Sequence, residues 1–559
     1  MSAEKEMIGS TAAGLSAEKE MVGGTAAARG DDHTKFVTVH NVALADAIEK
    51  QKPSPWTKAM FQLYFCLFVA TLNSGINGYD GSLMGAINAY DQYRLYFGFD
   101  PEKGTPGTGI VYAIYTIGNI VGSFFAGPAT DFRGRRVGMA IGATIIVIGT
   151  CIQATARNLA QFMGGRFLLG FGVAISASAG PAYASEIAHP SYRGVMTGIY
   201  NCLWFMGGIP GTFVPYGTHK ITGSNSWRIP IWLQMVFSGL VLCFVWFIPE
   251  TPRWLIANDR HEEALAVMAK YHGEGDPNSP IVQLEYREML EDISKTGSDK
   301  RWWDYRELFN TRETRYRSML VILMAFFGQW SGNGPVSYYY PTMLKGAGVT
   351  SKETQLLYNG MQNLVSFGGS VFGAIFTDKW GRRPQLMVST GIAACIFVII
   401  LSLNATNLYE NSAGELVAKR SSQSNAVIAF IFIFGFVISA GYTPLQALYP
   451  VECLRYESRA KGMGMYNFFV NIALFYNTFV TEIAFTGAGW KYYFLFIFWD
   501  TFEVIVIYFL FVETKNRTLE ELSEIFQSKT PVKTSISKVQ VIMHGDEGVT
   551  EVLNKENVA

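Results

Sequence analysis

Long stretches without a charged side chain recur along the chain. Eleven runs of at least 19 residues contain no Asp, Glu, Lys or Arg, and they are numbered as spans 1 to 11: 59–79, 104–130, 137–156, 167–185, 194–219, 229–249, 318–344, 354–377, 384–409, 421–451 and 462–481. Span 12, residues 492–512, is interrupted only by Asp500 and Glu503. A helix that rises about 1.5 Å per residue needs about 20 apolar residues to cross a bilayer. The pattern therefore predicts an all-α polytopic membrane protein with twelve transmembrane helices.

Polar segments divide the spans into two sets of six. We predict a disordered tail over 1–55, a first bundle over 56–249, a linker with short helices over 250–316, a second bundle over 317–512 and a polar tail over 513–559. The first tail is rich in Ala, Gly and Ser, which cannot bury enough apolar area to fold alone.

The basic residues indicate which side of the membrane each loop meets. With the N-terminus inside, four short inner loops hold ten Lys or Arg in 32 residues, whereas six outer connections hold ten in 79. Because cytoplasmic loops are enriched in Lys and Arg, both termini are predicted to lie in the cytoplasm.

Composition excludes several other functions. Lys plus Arg and Asp plus Glu are equal at 45 each, which excludes a basic nucleic-acid binder. The six Cys and seven His show no metal-ligand spacing, and no nucleophile or phosphate-binding loop is apparent. The sequence therefore predicts neither an enzyme nor a protein that holds a metal or a cofactor.

Three landmarks of the first half recur in the same order in the second. They are DFRGRR (131–136) with DKWGRR (378–383), a Glu and an Arg seven apart (Glu186 and Arg193, then Glu452 and Arg459), and PET (249–251) with VET (512–514). Such a duplication predicts two six-helix bundles related by an axis along the membrane normal, with a substrate site between them.

Five short motifs resemble those of the sugar porters of the major facilitator superfamily. They are DFRGRR (131–136), GGRFLLG (164–170), PETPRWL (249–255), DKWGRR (378–383) and VETKNRTLEEL (512–522). The resemblance covers roughly residues 55–525, and within the family the chain looks like the fungal lactose permease and cellodextrin transporter group. It implies the major facilitator fold and sugar transport across the plasma membrane.

The resemblance also implies a cytoplasmic gate made of charged residues at the landmarks. Basic loops alone would explain the Arg residues, but not the acids that recur at equal spacing. The predicted gate residues are Asp131, Arg135, Arg136, Glu186, Arg193, Glu250, Asp378, Arg382, Arg383, Glu452, Arg459 and Glu513.

Charged side chains inside the spans are few, and each costs roughly 3 kcal/mol at mid-helix. Asp80 is the residue directly after span 1, and Arg166 is the one charged residue in the stretch 158–185. In the family that the chain resembles, the proton-coupling pair falls on these two positions. The resemblance implies that protonation of Asp80 releases Arg166 and favours an outward-facing arrangement. Asp500 and Glu503 lie on one face of span 12, either as a second titratable site or, as we favour, as a structural pair.

A sugar presents hydroxyl groups and flat C–H faces, so its site needs amides and aromatic rings. The spans contain both, although hydrogen bonding between helices is the alternative role for such amides. The predicted sugar-binding residues are Asn201, Gln329, Asn333, Tyr338, Tyr339, Asn363, Gln446, Asn467 and Asn471.

Four departures from the family pattern concern the pocket. Asn201 stands where the family usually has Gln, and Asn333 stands one place early in its motif. Gly328 replaces a Gln, and Ala447 stands where hexose porters commonly place Trp. Loss of an amide and an indole widens the pocket, which is consistent with a disaccharide.

The sequence therefore predicts a proton-coupled symporter that imports a disaccharide of the lactose or cellobiose type by alternating access. The expected partners are the sugar, the proton and the lipid bilayer, with no nucleic acid, and a monomer is expected. Two alternatives stay open. One is a hexose transporter, as a symporter or a facilitator, and the other is a transporter-like sugar sensor.

Overall fold

The chain is almost entirely helical where the structure describes it. The computed structural model describes residues 54–88, 90–99, 106–131, 133–190, 193–296, 305–338, 340, 343–344, 351–410, 416–418, 421–455, 458–515, 519–536, 540–544 and 548–553. The tail predicted over 1–55 and the predicted binding residue Tyr339 lie outside these residues, apart from Ser54 and Pro55.

Eight helices form the six crossings of the first bundle. Spans 1 to 6 are Lys58–Ile87, Pro106–Asp131, Arg135–Ala154, Leu159–Ile187, Arg193–Cys202 with Trp204–Thr218, and Asn225–Leu233 with Met235–Phe244. A short helix, Asp91–Phe97, follows span 1. Spans 1 and 4 begin at side-chain caps, since Thr57 accepts from the backbone N–H of Met60 and Asn158 from that of Gln161.

Seven helices form the crossings of the second bundle. Spans 7 to 12 are Arg312–Trp330 with Asn333–Tyr338, Lys352–Trp380, Arg382–Asn407, Ser421–Cys453, Arg459–Ala488 and Tyr493–Leu510. Eight helices of the described chain are long and apolar enough to cross a membrane, namely those of spans 1, 2, 3, 4, 6, 9, 10 and 12. Spans 5 and 7 are each divided by a break.

Span 7 breaks because Gly332 takes a left-handed conformation. Its φ is +79°, and a Cβ at this position would lie 2.3 Å from the ring of Phe397. Only glycine fits both constraints without strain. The helix therefore stops at Trp330 and resumes at Asn333 in a new direction.

Spans 1 and 5 touch backbone to backbone through glycine. A Cβ on Gly78 would lie 1.8 Å from the carbonyl oxygen of Trp204, and one on Gly207 would lie 1.8 Å from that of Gly75. Small residues allow this approach between membrane helices, where close packing takes the place of the hydrophobic effect.

The linker between the bundles folds as three helices, Pro252–Ala257, His261–His272 and Pro280–Thr296. They share a small apolar core that includes Leu255, Met268 and Val282. His272 Nδ1 lies 2.5 Å from Glu285 Oε2, and His272 Nε2 lies 3.1 Å from the carbonyl oxygen of Ile187 at the end of span 4. The linker is thereby attached to the first bundle.

Two small antiparallel hairpins lie outside the crossings and were not predicted. Leu408–Glu410 pairs with Leu416–Ala418 between spans 9 and 10. Gln540–His544 pairs with Gly548–Leu553 near the C-terminus, after two further helices, Leu519–Gln527 and Pro531–Ile536.

The bundles are joined by ion pairs on the face of the molecule opposite the linker. We call this face the far face, and the face that carries the linker the linker face. Lys352, at the start of span 8, pairs with Asp91 of the short helix after span 1. Lys220 Nζ, after span 5, lies 2.8 Å from Glu353 Oε1. Both pairs connect the two halves of the chain on their exposed surface.

Candidate functional site

A buried ion pair lies inside the first bundle. Asp80 of span 1 and Arg166 of span 4 are each 1% exposed, and Arg166 Nη1 donates to Asp80 Oδ1 at 2.7 Å. The guanidinium also lies over the ring of Tyr115 from span 2, 4.5 Å from its centroid. The structure thus brings together the two charges that the sequence predicted as partners, in surroundings where ion pairing is strong.

A third member of this cluster was missed from the sequence. Gln234 of span 6 is buried, and its Nε2 donates to Asp80 Oδ1 at 2.6 Å. The sequence could have indicated this residue only because Gln234 is a polar amide within the uncharged run 229–249. Asp80 Oδ2 and the Nε of Arg166 have no hydrogen-bond partner among the described residues. The hydrogen-bonding capacity of the pair is therefore only partly used among the described residues.

Two predicted amides make contacts at one face of span 10. Asn201 of span 5 donates to the carbonyl oxygen of Thr443, and this contact joins the two bundles. Gln446, three residues after Thr443, donates to the carbonyl oxygen of Gly328 in span 7 at 3.1 Å. A Cβ on Gly328 would lie 2.6 Å from Gln446 Nε2, so the absence of a side chain at position 328 leaves room for this amide.

The break in span 7 places further predicted residues close by. Asn477 of span 11, which sequence reasoning missed, donates to the carbonyl oxygen of Gln329 at 2.9 Å. A Cβ on Gly334 would overlap the amide of Asn477. Asn333 is half-buried at the start of the second helix of span 7, and Tyr338 is the last residue of that helix.

Two of the remaining predicted amides hydrogen-bond along their own helices. Asn363 donates to the carbonyl oxygen of Asn359 at 3.1 Å, and Asn471 donates to that of Asn467 at 2.8 Å. The Oδ1 of Asn363 faces Gly208 of span 5 across the bundle interface. Asn363, Asn467 and Asn471 are half-buried.

The predicted gate residues form two matching clusters on the linker face. In the first bundle Arg135 Nη2 lies 3.0 Å from Glu186 Oε1, while Glu250 accepts from the backbone N–H groups of Arg135 and Arg136 at 3.0 and 3.3 Å. The Arg135–Glu186 contact stays within the first bundle, and the Glu250 contacts join that bundle to the first residue of the linker. Burial raises the pKa of Glu250, against the effect of its backbone donors.

The second bundle repeats this arrangement with the corresponding residues. Arg382 Nη2 lies 2.8 Å from Glu452 Oε1, and Glu513 accepts from the backbone N–H groups of Arg382 and Arg383 at 2.9 and 3.1 Å. Side chains of four predicted gate residues and one predicted binding residue lie outside the described set: Asp131, Arg193, Asp378, Arg459 and Tyr338.

A helical membrane protein with two matching bundles, a polar interface between them and repeated charged clusters on one face has the features of a transporter. The sequence profile of the family described as sugar (and other) transporter matches residues 66–526. The chain belongs to this family.

Two fungal transporters are among the proteins that this chain resembles in sequence. The chain is 28% identical to a high-affinity glucose transporter of Kluyveromyces lactis over 484 residues, which cover 84% of this chain and 86% of the relative. It is 27% identical to a probable quinate permease of Aspergillus clavatus over 508 residues, with 86% and 91% covered. Neither glucose nor quinate is a disaccharide.

Solved structures show the same fold. The proton:xylose symporter XylE bound to 6-bromo-6-deoxy-D-glucose superposes with a TM-score of 0.67 at 18% identity, covering 83% of this chain and 99% of that one. A partially occluded inward-open form of XylE from E. coli gives 0.66 at 16% identity, covering 82% and 99%. The predicted all-α major facilitator fold is confirmed, and the predicted sugar-porter family is confirmed at the level of the whole family.

Proposed function

We propose that the chain is a proton-coupled symporter that imports a neutral sugar across the plasma membrane by alternating access. The buried Asp80–Arg166 pair carries this proposal, because a lone carboxylate–guanidinium pair in the interior of a membrane bundle is costly unless it has a task. The linker face is cytoplasmic, the far face is outside, and the protein works as a monomer.

Protonation of Asp80 is the coupling step. The neutral acid no longer holds Arg166, so the contacts between spans 1, 4 and 6 loosen and the first bundle rearranges. Each proton that enters down 100 mV supplies about 2.3 kcal/mol, which sustains a sugar gradient of roughly fifty-fold. The ion pairs of the far face hold the site closed to the outside until that step.

The polar groups at the bundle interface favour a neutral substrate. Asn201, Gln446 and Asn477 offer amides, which suit hydroxyl groups. An anion such as quinate needs a cation, and the guanidinium of Arg166 is already paired. Among sugars we propose a disaccharide such as lactose or cellobiose, because Gly328 and Ala447 carry no large side chains at positions where the family has an amide and an indole.

A hexose transporter, coupled or facilitative, is the second candidate. It is favoured by the similarity to a glucose transporter. Whichever sugar is carried, the predicted binding residues and the two linker-face clusters remain the proposed site and the proposed gate.

Uptake of radiolabelled sugars by a transporter-deficient yeast tests the function. Lactose, cellobiose, glucose and quinate are offered separately, with and without a protonophore. We expect concentrative uptake of a disaccharide that the protonophore abolishes, and Asp80→Asn is expected to remove accumulation while exchange across the membrane continues.

The matched control is Asp259→Asn, which neutralises an exposed acid of the linker in a left-handed conformation that Asn tolerates. Uptake that resists both the protonophore and Asp80→Asn would mean a facilitator. Preference for glucose would assign the second candidate. Surface expression without any uptake would contradict transport.

A further inference from the structure

Two acidic side chains in the interior of span 12 have no part in the function proposed above. Asp500 and Glu503 are both 0% exposed. They lie near the middle of the helix Tyr493–Leu510, about half-way across the membrane. They are as deeply buried as the Asp80–Arg166 pair, but they lie in the other bundle.

The side chains of neighbouring spans that contact this acidic pair are neutral, and they come from spans 7 and 10. Ser331 of span 7 lies 2.6 Å from Glu503 Oε2, and the hydroxyl of Tyr442 of span 10 lies 3.0 Å from the same oxygen. Thr390 of span 9 lies 2.8 Å from the hydroxyl of Tyr442. Tyr442 is therefore the one titratable neighbour in hydrogen-bond contact among the described residues.

No basic side chain of the described chain contacts either carboxyl group. Arg383 is the cation that reaches span 12, and it donates to the carbonyl oxygens of Ile507 and Tyr508, about one turn beyond Glu503. Among the residues that the structure describes, none donates a hydrogen bond to either oxygen of Asp500 or to Glu503 Oε1. An ionised pair here would be two adjacent negative charges without compensation, whereas bound protons remove that cost.

Ser331 offers two hydrogen-bonding arrangements that differ by one proton. Its hydroxyl lies 2.5 Å from the carbonyl oxygen of Phe327 and 2.6 Å from Glu503 Oε2, and it has one hydrogen to donate. When Glu503 is ionised, the hydroxyl donates to the carboxylate. When Glu503 is protonated, the acid donates to the serine oxygen, and the serine donates to Phe327.

These two arrangements act on the break in span 7. Ser331 directly follows Trp330, the last residue of the first helix, and both its backbone N–H and its hydroxyl donate to the carbonyl oxygen of Phe327. The same break positions the Gln329 carbonyl against Asn477 and the Gly328 carbonyl against Gln446. The proton on Glu503 is therefore linked through one hydroxyl to the segment that shapes the candidate sugar site.

We propose that Asp500 and Glu503 form a second proton-binding site, and that its occupancy selects between two conformations of the break in span 7. The proton binds a carboxylate oxygen of Glu503 from water and returns to water, and no other bond forms or breaks. Only the consequence for transport, a second proton-linked step, rests on the proposed symport. Occupancy itself is measurable without any sugar.

Infrared spectroscopy of the purified full-length protein in lipid nanodiscs measures this occupancy. At pH 7 we expect the C=O band of a buried protonated carboxyl group, which Glu503→Gln and Asp500→Asn reduce and the exposed control Asp259→Asn leaves unchanged. Each variant replaces an acid by an amide of nearly the same shape, so both variants are expected to fold. A thermal midpoint equal to that of the wild-type protein checks this expectation. Absence of the band at pH 7 in the wild-type protein overturns the proposal.

Tryptophan fluorescence then tests the link to span 7. Trp330 and Trp499 are in ring contact at 4.9 Å, beside the break and the acidic pair. We expect a pH-dependent change in emission that disappears in Glu503→Gln and Ser331→Ala, is reduced when Trp330→Phe removes the reporter, and persists in Asp80→Asn. Persistence in Glu503→Gln overturns the link.

The controls separate this site from the proposed coupling pair and from a metal ion. Loss of symport in Asp80→Asn with the infrared band intact leaves the second site standing. Na⁺ added at constant pH is the remaining probe. If Na⁺ removes the carboxyl band and stabilises the wild-type protein but not Glu503→Gln, the site binds a metal cation and the proposal is wrong.

Discussion

Asp80 receives hydrogen bonds from two side chains on different spans, and both use the same carboxylate oxygen. Arg166 brings a charge and Gln234 brings a neutral amide, at 2.7 and 2.6 Å. The charge was predictable because a charged residue inside an apolar run is costly and rare. The amide was not, since one Gln in a membrane helix serves helix packing equally well.

Replacement of Gln234 by Leu tests its part in the coupling site. The change removes one donor to the ionised Asp80 carboxylate, and a hydrogen bond to a charged group is worth about 1.5–3 kcal/mol. We therefore expect the pH profile of the initial uptake rate to move toward higher pH, measured as uptake rate against external pH.

The outcome that contradicts this role is an unchanged pH profile with a lower rate at every pH. Asn73→Ala is the comparison, since Asn73 is a buried amide of span 1 whose side chain bonds Ser176 and the Ala70 carbonyl rather than Asp80. It should leave the profile in place.

Gly328 is a second position where one residue decides the site. Gly328→Ala places a methyl group against the flexible end of Gln446, so the amide must move while the backbone stays. If that amide binds sugar, loss of about 1 kcal/mol of hydrogen bonding raises KM roughly five-fold with little change in thermal midpoint. Gly391→Ala, with open space at its Cβ, is the control. An unchanged KM would remove Gln446 from the binding site.

At the scale of elements, the runs of apolar residues predicted the helices but not their breaks. Span 7 reads as one uncharged run over 318–344, yet it divides after Trp330 because Gly332 takes a positive φ. Glycine permits that conformation without requiring it. The two hairpins were not predicted either, because strands of three to six residues give little periodic signal.

Backbone contact between spans 1 and 5 gives a stability prediction. Gly207→Ala puts a Cβ 1.8 Å from the Gly75 carbonyl, a backbone atom that cannot turn aside. Separating the helices is expected to lower the free energy of unfolding by about 1–3 kcal/mol. Gly239→Ala, where the Cβ meets open space, is the matched control. Thermal midpoints in detergent distinguish the two, and equal midpoints would contradict the contact.

At the scale of the whole molecule, the ion pairs that join the bundles lie on the far face, while the described ion pairs of the linker-face clusters stay within one bundle. The arrangement favours closure at the far face and freedom at the linker face. The repeated landmarks predicted both clusters, because their spacing in sequence was the same. The far-face pairs were not predictable, since they join segments that share no repeated spacing in the sequence.

Glu353→Gln tests the closure of the far face. The hydrogen bond and charge of Lys220 lower the pKa of Glu353, and Glu353 raises the pKa of Lys220. The bridge is lost only as pH falls through the lowered pKa of the acid, below 4.5, or rises through the raised pKa of the amine, above 10.5. Between about pH 5 and 8 the effect of the substitution should therefore be constant.

Spin labels on the exposed residues Thr222 and Lys491 report this closure as a distance distribution. We expect Glu353→Gln to increase the population at longer distance modestly, since exposed pairs are weak and screened by salt. Glu263→Gln breaks a pair inside the linker and should leave the distribution unchanged. An effect that varies between pH 5 and 8 would instead point to a titrating group elsewhere.

The sequence by itself determined the number of crossings, the duplication, the family and the two charges in the first bundle. Lipid imposes its cost residue by residue along the chain, so run length and charge position are sufficient for these. Only the tertiary structure decided which polar groups meet: Gln234 with Asp80, Asn201 with Thr443, and Ser331 with Glu503. Such contacts depend on the rotation and approach of helices far apart in the chain, and these are set by packing, which no single run of residues encodes.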